Sequence, residues 1–350
     1  MRQVNRSSRM RPAFIVASLT VTLGIMPVSA GSAYAATGQA QAPIDRLQVW
    51  NVNTHGMATD PAGCTNESPC TNYREFVYYI TDPARVAYVP DIVTLQEAGT
   101  NITNLHNPSC HNFESVLEAR TGLDYFCYET TLRGGAAIVY RTGRLSYVGG
   151  TLRSVQLRER ATEGAVCTLS SWYALVQRFR DDRNAGKFVN VASVHLPHSD
   201  NSDADCAWEN MKTISSVVDS LGSASMRVMA GDWNHTDGVL NSSGQVNWEC
   251  WYAGTNVDLG ICGSTSPNLG WKDAMYRACN LTGTTAFNCM NAFFWTKGGV
   301  RIDFMFAKTY AIYNQVTVDY GLAYQSAGSP SSWPRQYSDH RGQGALLRYY

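Results

Sequence analysis

Apolar runs that give way to acids, amides or histidines recur along this chain. Residues 46–55, RLQVWNVNTH, read as a strand, and 91–98, DIVTLQEA, as a second with apolar positions at 92, 93 and 95. GGAAIVYR (134–141) is a third β-rich run. Residues 172–197 form two alternating runs around DDRNAG and predict a hairpin, and RVMAGDWN (227–234) follows as another strand. NAFFWTKGGVRIDFMFAKT (291–309) predicts a hairpin turning at KGG. Between these, the 3.6-residue spacing predicts helices over 72–83, closed by Pro83, over 111–122, ended by Gly122, and over 206–222. A short helix is expected in GWKDAMYRAC (270–279).

Strands interleaved with helices predict a layered α/β domain. In such a sheet, strand ends gather along one edge and can converge on one pocket. The ends in question carry Asn51 and Asn53, Glu97, His195, Asp232 with Asn234, and Asp339 with His340, while Asp303 sits inside the run VRIDFMF. Trp233, between Asp232 and Asn234, reads as core.

The start of the chain is expected to lie outside the fold. Arg2, Arg6, Arg9 and Arg11 precede an apolar segment and then SAYAA, the pattern of a secretory signal peptide cleaved near Ala35 or Ala36. Residues 37–350 then form a single expected domain, exported to the extracellular space. The chain has 28 basic and 28 acidic residues; with the four leader arginines removed, the remainder carries a net charge of −4. That excludes nucleic-acid binding by a broad basic field alone and requires a local basic patch or a bound cation for any anionic substrate. All ten cysteines follow the leader, and no Cys-x-x-Cys occurs, so disulfides are expected rather than a zinc ribbon. Short loops favour the pairs 64–70, 110–127, 167–206, 250–262 and 279–289.

The polar ends define a chemistry. Glu97, Asp232, Asp303 and Asp339 supply carboxylates, Asn51 and Asn234 amides, and His195 and His340 imidazoles. An oxygen-rich set suits magnesium, and also manganese or calcium. It suits phosphoester hydrolysis, in which water must be positioned and a negative transition state neutralised. Asp232 with Asn234 can orient the water, a histidine can donate a proton to the leaving oxygen, and a buried Asp303 can fix the tautomer of His340 and raise its basicity. Asp303, between Ile302 and Phe304, requires a partner if buried.

QVWNV, DIVTLQEAG, GGAAIVYR, VASVHLPH, MAGDWNH, GGVRIDFMFA and YSDH occur in this order, and together they resemble the endonuclease/exonuclease/phosphatase superfamily over residues 45–347. The resemblance implies a four-layer α/β sandwich, with two packed mixed β-sheets flanked by helices, and a metal-dependent phosphohydrolase. It implies that Asn51, Glu97 and Asp339 lie at the metal, that His195 is a general acid or phosphate contact, and that Asp232 and Asn234 form the "GDxN" pair. It implies that Asp303 orients His340, and that His340 is the base or a phosphate contact. Arg133 and Tyr128 are candidate phosphate contacts alongside Asn234.

The plain RID strand and His195 of SVHLPH are most similar to the deoxyribonuclease I branch, so the expected substrate is DNA. HLPHSDNSDADC is also similar in spacing to bacterial sphingomyelinases, which keeps a secreted phospholipase C as the alternative. A non-catalytic binding or toxin-accessory module is a third reading, opposed by the intact motif set. No stable protein partner is expected, and the chain is expected to be a monomer. Asp273 is assigned either to building the site or to capping its helix. His55, His198 and His235 are expected at the rim, His106 and His111 on the surface, and Phe293, Phe294 and Trp295 in a core strand.

Overall fold

Leu47 and Val49 enter one apolar layer while Trp50 and Val52 enter another, as the two-residue period of a strand requires. That strand is β1 (Arg46–Asn53) of a computed structural model, which describes residues 37–57, 73–99, 109–160, 166–197, 204–234, 270–275, 296, 301–318, 338 and 340–350. After it come α1 (Tyr73–Ile80), β2 (Ile92–Gln96), α2 (Cys110–Thr121), β3 (Tyr125–Glu129), β4 (Ala137–Arg141) and β5 (Leu145–Tyr147). Then follow β6 (Arg153–Glu159), β7 (Thr168–Asp181), β8 (Phe188–His195), α3 (Ala204–Ser220), β9 (Met226–Asp232), β10 (Lys272–Asp273), β11 (Asp303–Lys308), β12 (Ala311–Thr317) and β13 (Gln343–Arg348).

The strands form two mixed sheets. One has the order β12-β13-β1-β2-β4-β3; the other runs β10-β11-β9-β8-β7-β5, with β6 also on β7. An apolar layer built from Val49, Ile92, Ile138, Val191, Val228, Met305 and Leu347 lies between them. On the outer face of the first sheet, Phe76, Val77 and Ile80 of α1 and Phe113 and Leu117 of α2 pack against Trp50, Val93 and Val139. On the outer face of the second, Met211, Ile214 and Val218 of α3 pack against Val176, Val194, Met229 and Phe306. Their spacing puts one stripe of α3 on the sheet. The four-layer sandwich expected from the sequence is the observed fold. Ser109 caps α2 by accepting from the His111 amide, and Gly122 ends it at φ 67°, a left-handed value that glycine adopts without strain. Among the described residues, no helix is long and apolar enough to cross a membrane.

The hairpin over 172–197 is present as β7 and β8. The helix expected in 270–279 is not what forms at its start: Lys272 and Asp273 pair in antiparallel fashion with Ala307 and Phe306, because β11 offers them an open edge. Residues 276–279, where the rest of that helix is expected, lie outside the described residues, and Asp273 accepts from the Met275 amide at 3.0 Å. Its two carboxylate oxygens take both terminal nitrogens of buried Arg301, at 2.6 and 2.7 Å. Of the expected disulfides, Cys110–Cys127 and Cys167–Cys206 are formed; the remaining six cysteines, the turn at KGG, Phe293 to Trp295, and His106, His198 and His235 lie outside the described residues.

One property of the middle layer positions everything that follows. Along β1 the core-facing series runs Leu47, Val49, Asn51, Asn53; along β2 it runs Ile92, Thr94, Gln96. Along β8 it is Val189, Val191, Ser193, His195, and along β9 Met226, Val228, Ala230, Asp232. The antiparallel β11 and β13 read in reverse, with Asp303 before Met305 and Gln343 before Ala345. One end of the layer is therefore apolar and the other polar.

Candidate active site

Strand register assembles the polar end. His195 of β8 pairs with Asp232 of β9, and Asp232 pairs with Asp303 of β11, so three side chains stand in one row. A Cβ on Gly231 would lie 1.8 Å from the Val194 carbonyl oxygen, so the β8–β9 approach that builds this row requires glycine.

His340 reaches the row from the segment that leads into β13. Its Nδ1 is 2.8 Å from Asp303 Oδ2, and both side chains are buried. An ionised carboxylate can only accept, so Nδ1 carries the hydrogen and Nε2 faces the site. Ser338 holds this segment in place: its hydroxyl donates to the Asn53 carbonyl and accepts from the His340 amide at 3.1 Å. Burial pushes the Asp303 carboxyl above its ordinary pKa; His340 pulls it back, and the charge of Asp232 adds to the rise.

His195 is oriented differently. Its Nδ1 is 2.8 Å from the Gly134 carbonyl oxygen, which fixes the hydrogen on Nδ1 and again turns Nε2 inward. The Trp172 ring packs against the imidazole edge to face, with centroids 4.7 Å apart. The two Nε2 atoms converge on one oxygen: each lies 3.6 Å from Asp232 Oδ2. That is longer than a hydrogen bond.

Asp232 is fixed from both ends. Asn53 Nδ2 donates to its Oδ2 (2.9 Å), and the Asn234 backbone amide donates to its Oδ1 (2.8 Å). The same Asn53 nitrogen donates to Glu97 Oε1 at 3.1 Å, tying the two carboxylates to one amide. Glu97 and Asn234 both have left-handed backbones, at φ 55° and 47°. For Glu97 this costs about 1–3 kcal/mol. The neighbourhood enforces it: the Thr54 hydroxyl donates to the Glu97 carbonyl (3.2 Å), and the Ala98 amide donates to the Gly135 carbonyl (2.9 Å). Asn234 Nδ2 donates to the Leu196 carbonyl at 2.8 Å.

Of the residues singled out in the sequence, Glu97, His195, Asp232, Asn234, Asp303 and His340 therefore meet. Asn51 does not reach them. It sits two residues deeper on β1, where its Oδ1 accepts from Thr94 (2.8 Å) and Gln96 (3.0 Å), and it braces the floor of the site. Asn53, not singled out as a metal contact, is the amide that hydrogen-bonds Glu97 and Asp232. Asn51 and Asn53 both face the middle layer, and only depth along the strand separates them. Tyr128 is also elsewhere: it stacks on Tyr140 and meets Phe126 and Tyr147 edge to face. Arg133 lies at the rim, exposed, with its guanidinium 5.0 Å above the Trp172 ring that supports His195. Asp339 lies outside the described residues. Trp233 is in the core on the opposite side of β9, against Phe306. His111 is on the surface, paired with Glu114.

No protein-family model matches the chain, and no curated protein matches it. Solved structures do. An endonuclease/exonuclease/phosphatase from Beutenbergia cavernae superposes with a TM-score of 0.52 at 16% identity, covering 87% of this chain and 72% of its own. The human Nocturnin catalytic domain, solved with a bound sulfate, gives 0.51 at 13% identity over 87% and 94% of the two chains. Truncated TDP2 from Caenorhabditis elegans gives 0.51 at 15% identity over 87% and 97%. This is the endonuclease/exonuclease/phosphatase fold. The cluster lies at the polar end of the middle layer.

The cluster offers sites for a cation. Asp232, Asp303 and His340 each present a ligand atom, all within 4.8 Å of one another. The hydrogen bond between His340 Nδ1 and Asp303 Oδ2 leaves Asp303 Oδ1 buried with no hydrogen-bond partner, and Glu97 and Asp232 form a second pair of carboxylates beside it. These are two carboxylates held together by one neutral amide, an arrangement of like charges that a divalent cation relieves and whose oxygen donors suit magnesium.

Proposed function

We propose that the protein is an exported, metal-assisted phosphodiesterase that hydrolyses DNA, acting as a monomer. The observation that carries this reading is the placement of two imidazole nitrogens on either side of Asp232 Oδ2, next to a second carboxylate, Glu97. Phosphodiester hydrolysis needs a base for water, an acid for the leaving oxygen and neutralisation of the phosphoryl charge.

The partners of the two histidines divide the roles. His340 has a carboxylate behind it, which stabilises its imidazolium and makes it the stronger base. It takes a proton from the water that Asp232 orients, as the water oxygen bonds to phosphorus. His195 is held by the Gly134 carbonyl with Nε2 turned into the site. It protonates the leaving oxygen as the ester bond breaks. Asn234 and Arg133 contact the phosphoryl oxygens. Glu97 and Asp232, with Asp339 in support, would hold Mg2+, which supplies charge neutralisation at the phosphoryl group.

Export rests on the basic, apolar and Ala-x-Ala leader and on the paired cysteines. The test is a substrate panel of plasmid DNA, RNA, sphingomyelin and bis(4-nitrophenyl) phosphate, each with Mg2+ and with EDTA. The reading expects cleavage of DNA and of the small diester in Mg2+ only. Hydrolysis of sphingomyelin without DNA cleavage would move the assignment to a phospholipase C.

A further inference from the structure

Asp303 and His340 lie on segments that meet only in space, and one residue outside the cluster grips both. The Thr296 hydroxyl accepts from the amides of Ile302 and Asp303, each at 3.0 Å. The Thr296 carbonyl accepts from the Arg341 amide at 2.8 Å. Thr296 is fully buried. It therefore ties the chain that enters β11 to the chain that leads from His340 into β13.

The side-chain chemistry decides how this is done. A hydroxyl oxygen has two lone pairs and can accept both amides. Successive residues of a regular strand face opposite sides, so two neighbouring amides on one oxygen mark a bend, and β11 begins there, at Asp303. The other backbone groups around the pair are taken elsewhere. Gln343 Nε2 donates to the Asp303 carbonyl at 3.1 Å, and the Trp233 amide donates to the Ile302 carbonyl at 2.8 Å. The His340 amide donates to Ser338 Oγ at 3.1 Å. His340 is thus held from one side by Ser338 and from the other, through Arg341, by Thr296.

We propose that Thr296 is a positioning residue for the Asp303–His340 pair: its hydroxyl and carbonyl fix the two segments against each other, and so the direction in which His340 Nε2 points. It acts through these two residues. The kinetic consequence rests on the phosphodiesterase reading above; the geometric one does not. A displacement of about 1 Å at a reacting group can cost about 100-fold in rate. Since Thr296 bonds the backbone of the pair, its loss should fall on kcat and spare KM.

The tests use the full chain. In hydrolysis of bis(4-nitrophenyl) phosphate with Mg2+, Thr296→Val should lower kcat by roughly 10- to 100-fold and leave KM within about twofold of wild type. Thr296→Ser keeps the hydroxyl and should recover most of the loss. Thr121→Val is the control, because it removes another buried hydroxyl that bonds backbone, donating to the Leu117 carbonyl and accepting from the Leu123 amide. Its melting temperature should fall while kcat holds. Proton NMR in EDTA reads the pair without turnover. Wild type should show the His340 Nδ1 proton downfield of the backbone amides, identified by its loss in His340→Asn. That resonance should shift or broaden in Thr296→Val and persist in Thr296→Ser and Thr121→Val.

A valine at 296 leaves two amides without their acceptor, so the variant can fail to fold. Native-state hydrogen exchange of wild type then decides. The Ile302, Asp303 and Arg341 amides should agree in protection to within about tenfold, because one clamp opens them together. A larger gap overturns the proposal. So does a folded Thr296→Val with wild-type kcat or an unchanged Nδ1 resonance, and so does an equal fall of kcat in Thr121→Val. If wild type hydrolyses no diester while the resonance still depends on Thr296, the phosphodiesterase reading falls and the clamp stands.

Discussion

His340 Nδ1 lies 2.8 Å from Asp303 Oδ2, and both groups are almost wholly buried. This one contact fixes a tautomer, aims Nε2 at Asp232 and places a carboxylate where burial opposes its ionisation. Function and stability therefore pull in opposite directions at Asp303. Asp303→Asn keeps the shape but removes the charge, and should lower kcat/KM by about 100- to 10,000-fold. In EDTA the same variant should be no less stable than wild type near neutral pH. The sign follows from burial: a carboxyl whose pKa is raised by folding binds its proton more tightly in the native state, so wild type loses stability as pH rises past the ordinary carboxylate range. The melting-temperature difference, variant minus wild type, should grow from pH 4 to pH 8. A difference that shrinks over that range contradicts the assignment.

Asn53 joins Glu97 to Asp232 through one nitrogen. Asn53→Asp replaces that donor by a third carboxylate. In EDTA it should lower stability by about 1–3 kcal/mol, the cost of an unpaired buried acceptor. With Mg2+ the loss should be largely recovered, so the Mg2+-dependent rise in melting temperature should exceed that of wild type. Asn51→Asp, deeper on the same strand, should be destabilised alike with and without Mg2+. Thermal melts of both variants at matched salt separate the two positions.

How legible this site was in the sequence depended on which feature carried each residue. Asp303 in an apolar strand demanded a partner, and buried acids have few options, so its pairing with His340 could be read directly. Trp233 between two polar residues had to face the other way, by the strand period alone. Asn51 and Asn53 share that period, and sequence patterning cannot tell depth along a strand, so it does not reveal that Asn53 is the amide bonded to Glu97 and Asp232. The Gly134 carbonyl that orients His195 has no side chain to detect. Ser338 offered only a small polar residue two positions before His340. Tyr128 stands one strand beyond β4, and its aromatic partners come from β3, β4 and β5, a neighbourhood set by sheet order. The two-residue β10 exists only because β11 offers an edge to pair with, which local propensity does not contain.

Glu97 carries the metal assignment, and its backbone strain marks it as held in place for a purpose. Glu97→Gln preserves size and the contact with Asn53 while removing the charge. Its activity with Mg2+ should fall by at least about 100-fold. Wild type should melt at a higher temperature in Mg2+ than in EDTA, because a ligand bound only by the native state stabilises it. In Glu97→Gln that Mg2+-dependent shift should shrink or vanish. An unchanged shift in the variant would place the cation elsewhere, on the Asp232, Asp303 and His340 triangle.

Gly231→Ala tests whether the site depends on strand spacing. The added methyl would lie 1.8 Å from the Val194 carbonyl oxygen, a backbone atom that cannot swing aside as a side-chain tip can. β8 and β9 must separate at that point, in the step just before His195 and Asp232 pair. Overpacking of this kind costs about 1–3 kcal/mol when neighbours can adjust, and the contact with rigid backbone should put the loss at the upper end. Urea denaturation should show the midpoint falling with little change in slope. The folded fraction should also be nearly inactive, because widening the gap moves His195 Nε2 away from Asp232 Oδ2, where it now lies 3.6 Å away. A variant that stays folded with wild-type kcat would show that the β8–β9 approach serves packing alone and that the geometry of the row tolerates displacement.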